Sequence, residues 1–199
     1  MRFTGLILAA GAGRRMGGPK ALVEWNGKSF LEHAYDVLTT AEFSPVRIVV
    51  GAQVESIKHR HPRLRDDMIT NSEWKRGMGR SLHVGLTSLP SKADWAAVIL
   101  VDQPLLSPKA VVRLRDTAAS CQNVPRRPIV TASYEGRRGH PVLFHRSIRP
   151  DLISSLSPDA GARTFLRSHP ELVQEVDCTG LGDPTDVDTP DELRQLRTN

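Results

Sequence analysis

Residues 6 to 22 read LILAAGAGRRMGGPKAL. Here an apolar run opens into a segment carrying four glycines, two arginines and a lysine. FTGLILA, residues 3 to 9, has the length and continuity of a strand buried on both faces, and it leaves into glycines as a parallel strand does. The small residues that follow let backbone N–H groups approach a ligand closely. Arg15 and Lys20 add charge able to bridge several phosphate oxygens. A surface loop that is glycine-rich only to turn sharply is the plain alternative.

Two common phosphate loops can be tested on spacing. The P-loop needs GxxxxGK[ST], and Gly13 is followed instead by RRMGGPK. The dinucleotide fingerprint needs GxGxxG opening a helix. Gly11 and Gly13 are present, but Met16 holds the third position, and Pro19 and the extended ALVEW follow. Neither motif is met.

Outward from this loop, strands and helices alternate. ALVEW reads as a small strand ended by the turn pair Asn26-Gly27. Ser29 and Glu32 form a capping box, and Leu31, Ala34, Leu38 and Ala41 follow helical spacing. VRIVVG (46–51) and MIT (68–70) read as strands, with a short helix over 53–59. Leu82, Leu86 and Leu89 share one face of a helix over 78–89. WAAVILV (95–101) is the strongest strand signal in the chain. Ser107 and Pro108 start a helix whose buried face is Val111, Leu114, Ala118 and Cys121. RPIVTASY and HPVLFH flank EGRRG as a hairpin. Helical pieces follow around 147–156 and 160–168, then a strand over 172–177. A last helix starts at Pro190, with Thr189 and Glu192 as its capping box. The pattern predicts one α/β domain over 1–199 with a mostly parallel sheet. Ligands of such sheets bind beyond the C-terminal strand ends. AAGAGRRMGGPK, DQP (102–104) and DVD (186–188) fall at such ends.

A net charge of +5 and a pI near 9.6 favour anionic partners. The charge is spread over the chain, with no basic helix and no aromatic platform, which argues against nucleic acid. No run approaches the length of a membrane span. GLILAAGAG is followed by RRMGGPK rather than a cleavage region, so it reads as strand and loop, not signal peptide. Cys121 and Cys178 show no metal-ligand spacing and read as reduced thiols of a cytoplasmic protein.

LAAGAGRRMGGPK resembles the nucleotide-binding loop of the MobA-like nucleotidyltransferases, which have a Rossmann-like three-layer α/β fold. NSEWKRGMGRSLHVGL (71–86), VDQPLL (101–106), GRRGHPVLF (136–144), DAGAR (159–163) and DVDTPDEL (186–193) follow in order. Together they resemble the molybdenum cofactor cytidylyltransferases and their close relatives over residues 3–196. The resemblance implies transfer of a nucleoside monophosphate unit to a phosphate monoester, with release of pyrophosphate. The acceptor phosphate attacks the α-phosphorus itself, so the protein must hold two polyanions in line and offset their repulsion.

Residue by residue, the resemblance implies that Arg15 and Lys20 stabilise the triphosphate and the charge growing on pyrophosphate. Asp102 matches the metal-binding aspartate and Asp188 a second position near the metal, with Asp186 as the alternative. Two carboxylates with phosphate oxygens and waters suit Mg²⁺. As plain structure, Asp102 would cap a turn before Pro104, and Asp188 the last helix. Leu8, Ala9, Ala10 and Gly11 would line the nucleotide pocket, with Ser81 at a helix start and Gly77 and Gly79 permitting close approach. Ala-Ala-Gly goes with cytosine nucleotides in this family and Ala-Gly-Gly with guanine, so Ala10 points to CTP and leaves GTP open. Arg80 departs from the small residue common among relatives. His140 and Arg163 would face the acceptor, a molybdopterin-type cofactor, and a molybdenum enzyme would receive the product. A sugar or polyol phosphate acceptor, or a non-catalytic cofactor-insertion chaperone on the same fold, are the alternatives.

Overall fold

The computed structural model describes residues 1–120, 126–157 and 161–196. The sequence expectation for β1 is met at Phe3–Ala9. It is followed by a turn over Lys20–Leu22 and a two-stranded ribbon of β2 (Glu24–Trp25) and β3 (Lys28–Ser29). ALVEW is therefore not one strand: its first half turns after Pro19, and only Glu24 and Trp25 pair. Asn26 and Gly27, at φ 50° and 77°, make the two-residue turn of the ribbon.

Helix α1 (Phe30–Thr40) starts at Ser29, with both bonds of the capping box present. Then come β4 (Val46–Val50), α2 (Val54–Arg60), β5 (Met68–Thr70), α3 (Met78–Thr87), β6 (Trp95–Leu100) and α4 (Pro108–Ala119). The Ser107 hydroxyl accepts from the Lys109 amide, and Val111, Leu114 and Ala118 are buried. Cys121, expected on that face, lies outside the described residues, as do Asp159 and Ala160 of DAGAR. The hairpin is β7 (Ile129–Tyr134) and β8 (Arg137–His145). Its turn is only Glu135-Gly136, both at positive φ, so Arg137 and Arg138 belong to the strand. α5 (Arg149–Ser155), α6 (Arg163–Ser168), β9 (Val173–Asp177) and α7 (Pro190–Leu196) complete the order.

The seven-stranded sheet runs β5-β4-β1-β6-β8-β7-β9. β4, β5 and β6 join β1 in parallel, β8 is antiparallel to both β6 and β7, and β9 is parallel to β7. Strand alternation divides the core. Ile7 and Ala9 pack with α1 and α4 on one face; Leu6 and Leu8 pack with α3, α5 and α6 on the other. This is the expected Rossmann-like three-layer arrangement. Among the described residues no helix is long and apolar enough to cross a membrane, and Cys178 is a free, buried thiol.

β1 pairs with β4 on one side and β6 on the other. The chain thus leaves β1 and β6 in opposite directions at their shared C-terminal edge, which opens a crevice there.

Candidate active site

A cavity of about 590 Å³ fills that crevice. Leu8, Ala10 and Gly11 form its floor, with Ala12, Gly13, Arg14, Arg15 and Lys20 from the loop after β1. Leu100, Val101 and Asp102 enter from the end of β6; Trp74, Lys75, Gly77, Met78 and Ser81 from the start of α3; and Asp188 from the segment before α7.

The loop after β1 holds its shape by its own backbone. The amides of Met16 and Gly18 both donate to the Gly13 carbonyl, at 2.9 and 3.1 Å. Gly13 sits at φ 56°, and a Cβ there would lie 1.9 Å from the Gly18 carbonyl oxygen. Only glycine fits this position without moving the loop. The turn at Lys20–Leu22 then aims the lysine back at the strand ends.

On the opposite wall, Gly77 at φ 104° lets the chain enter α3 sharply. Ser81 lies one turn in and is buried, its hydroxyl accepting from Asn71 Nδ2 at 3.1 Å. The helix start presents its first amides and its dipole to the same cavity. Arg80 turns away to Glu73, 2.7 Å from its carboxylate, and to His83.

The charged centre is compact. Lys20 Nζ donates to Asp102 Oδ2 at 2.7 Å and to Asp188 Oδ1 at 2.5 Å. Arg15 holds the other oxygen of Asp188 at 2.9 Å. Burial works against the Lys20 ammonium, but the hydrogen bonds from it to Asp102 and Asp188 outweigh burial and hold its pKa above the ordinary lysine value. The Asp188 carboxyl is held below its ordinary value, chiefly by the hydrogen bond from Lys20. The sequence reading gives the cations to the triphosphate and the carboxylates to the metal. In the structure the cations sit directly on the carboxylates.

Gln103 was not singled out by sequence, yet it ties this centre together. Its Nε2 donates to the Pro184 carbonyl at 2.8 Å and to Asp186 Oδ1 at 2.9 Å. The Val187 amide donates to the Asp102 carbonyl at 2.8 Å, so the two carboxylate-bearing segments are laced side by side. Asp186, spent on Gln103, does not line the cavity. Burial pushes its pKa up. Nothing local marks Gln103: its partners are more than eighty residues away.

Four further residues picked from the sequence lie off the cavity wall. Ala9 packs into the α1/α4 core, one step of strand alternation from Ala10. Gly79 lines a separate small hollow with Arg76, Arg80 and His83. His140 and Arg163 do not line the cavity either, though His140 is close enough to Asp102 and Arg163 to feel their charges. Burial pushes the His140 imidazole down to about 4, with Asp102 opposing and Arg163 assisting.

A divalent ion is compatible with this centre. Asp102 Oδ1 is buried with no hydrogen-bond partner, a state that costs free energy unless a cation or donor meets it. The donors offered are hard carboxylate oxygens. Among the described residues no group of three or more His, Cys, Asp or Glu could hold a metal by itself, so phosphate oxygens and water would have to complete the shell.

Residues 5–173 match the model of the MobA-like NTP transferase domain. The chain belongs to this family. The transferase is 37% identical over 203 residues to Nicotine blue oxidoreductase of Paenarthrobacter nicotinovorans, covering 97% of this chain and 95% of that protein. It is 28% identical over 198 residues to Molybdenum cofactor guanylyltransferase of Vibrio atlanticus, covering 97% and 94%. Rv0371c of Mycobacterium tuberculosis H37Rv superposes at a TM-score of 0.84 over the whole of both chains, with 27% identity. A second crystal structure of that protein is a complex with manganese. The family and this structural likeness make the chain a nucleotidyltransferase.

Proposed function

We propose that this transferase moves a cytidylyl group from CTP to the phosphate of a molybdopterin-type cofactor, with 1–199 acting as one nucleotidyltransferase domain. One observation carries the reading: Arg15, Lys20, Asp102 and Asp188, spread over 174 positions of sequence, meet in one cluster on the wall of the cavity that the glycine loop opens.

In the proposed reaction an oxygen of the acceptor phosphate bonds to the α-phosphorus of the nucleotide. The bond from that phosphorus to the bridging oxygen breaks, and pyrophosphate leaves with the electron pair. No protein nucleophile is required. Lys20 and Arg15 would hold the triphosphate and meet the charge that grows on the departing pyrophosphate. The small residues Ala10 to Gly13 let phosphates and ribose come against backbone, and the start of α3 offers amides to the base or sugar. Mg²⁺, held by Asp102 and Asp188, would supply charge neutralisation on the phosphates. The neutral imidazole of His140, within reach of the charges of Asp102 and Arg163, and the Arg163 guanidinium would serve the acceptor. The choice of CTP rests on Ala10 at the cavity floor; GTP is the rival.

The test is pyrophosphate release with Mg²⁺, purified molybdopterin and each of CTP, GTP, ATP and UTP, followed by mass analysis of the product. CTP alone should give a dinucleotide product. Asp102→Asn should lower turnover by about 10²-fold or more while the protein stays folded; undiminished turnover overturns the metal assignment.

The identity to Nicotine blue oxidoreductase favours a second reading, an oxidoreductase on this fold. Reduction or oxidation of nicotine blue by the purified protein with an added redox partner, together with no pyrophosphate release from any nucleotide, would establish it instead.

A further inference from the structure

The two carboxylates assigned to the metal are already engaged. The Lys20 ammonium touches both, at 2.7 and 2.5 Å, and Arg15 takes the remaining oxygen of Asp188. Two carboxylates meet two cations, so the formal charges of the four side chains cancel. The bridge is also sheltered: the Lys20 side chain is 13% exposed, whereas Arg15 is 69% exposed. An incoming divalent ion would therefore find no net charge on these four side chains to attract it, and three of the four carboxylate oxygens taken by cations, with only Asp102 Oδ1 open. The energetic consequence is weak metal binding by the free protein.

A nucleoside triphosphate reverses this balance. It brings several negative charges into the cavity that Lys20 and Arg15 themselves line. Both cations then have phosphate oxygens as alternative acceptors, and the carboxylates are released.

We propose that Lys20 is an internal counter-cation that closes the Asp102–Asp188 pair in the nucleotide-free protein, and that a nucleoside triphosphate opens the pair by drawing Lys20 onto its phosphates. This rests on the reading of Asp102 and Asp188 as the metal-holding carboxylates. The lysine thereby orders the events: the protein is a poor metal binder alone and a good one once the triphosphate is in place. By reciprocity, metal and nucleotide must strengthen each other's binding by the same factor.

The test is Mn²⁺ binding, read by the loss of the free-ion electron paramagnetic resonance signal, without nucleotide. Wild type should show no saturable site in the micromolar range. Lys20→Gln and Lys20→Met should each bind Mn²⁺ at least tenfold more tightly, and adding Asp102→Asn to either should abolish the gain. Circular dichroism checks that each variant is folded; the wild-type titration needs no variant. A micromolar Mn²⁺ site in nucleotide-free wild type, or equal affinities in wild type and folded Lys20 variants, overturns the proposal. Binding of the Mn²⁺–CTP complex to wild type and to Asp102→Asn separates the two layers. If that binding depends on Asp102 while the Lys20 variants gain nothing, the counter-cation fails and the metal assignment stands. If it is indifferent to Asp102, the metal assignment itself fails.

Discussion

Replacing Gln103 by leucine tests whether the cluster of charges depends on the bracing behind it. The residue is 8% exposed. Its amide orientation is dictated by its partners, since the Pro184 carbonyl and the Asp186 carboxylate both accept and only Nε2 can donate. Leucine keeps the bulk and removes both bonds. The bond to the carbonyl is worth about 1 kcal/mol and the one to the carboxylate about 2 kcal/mol, and both acceptors stay in place. Gln103 Oε1 is itself buried without a partner, so its removal returns about 1 kcal/mol. The net loss is about 2 kcal/mol, or roughly 5 °C in Tm for a chain of this size. The larger effect is expected on turnover. The segment from Pro184 carries Asp188, and a displacement near 1 Å at a reacting centre costs about 10²-fold in rate. The nucleotide KM should move less than about threefold, because the loop after β1 is held by its own backbone bonds to the Gly13 carbonyl. Gln103→Glu, which sets a carboxylate against Asp186, should be worse in both respects. Thermal melts and steady-state pyrophosphate release check this. A Gln103→Leu protein with lowered Tm and unchanged kcat would show that Gln103 is only structural and would refute the reasoning.

Two other perturbations follow from particular residues. Gly13→Ala forces a Cβ onto the Gly18 carbonyl at a left-handed backbone position, so the loop must open. Nucleotide affinity by calorimetry should fall tenfold or more while urea unfolding shifts by only about 1–2 kcal/mol, since the loop lies outside the core; an unaltered affinity would remove the loop from the site. His140 titrates near 4 in the folded protein against an ordinary 6.5. The unfolded chain then holds more protons between these values, so stability rises as pH goes from 4 to 6.5 and levels off above, by no more than about 3 kcal/mol. His140→Gln should flatten that slope in unfolding measurements across pH; an unchanged slope would place the effect elsewhere.

What could be read from the chain was local. Ser29 with Glu32 and Thr189 with Glu192 announce helix starts, because a cap is made by residues three apart. The continuous apolar run at 95–100 announces a central strand, because it must be covered on both faces. The loop at 10–20 announces close backbone approach and positive charge, and only its resemblance to a family of nucleotidyltransferases gave it a nucleotide. Strand alternation also held the means to separate Ala10 from Ala9, since neighbours on a strand face opposite ways.

The remainder was decided by packing. The sheet sets β8 antiparallel between β6 and β7 and brings β9 in parallel at the edge, an order no window of sequence contains. Lys20 reaches carboxylates 82 and 168 positions away, and Gln103 braces a segment 81 positions on. Periodicity and capping act within a few residues, whereas a charge cluster is fixed by which strand ends the sheet places side by side. Only that placement set two cations expected on the triphosphate directly on the carboxylates themselves.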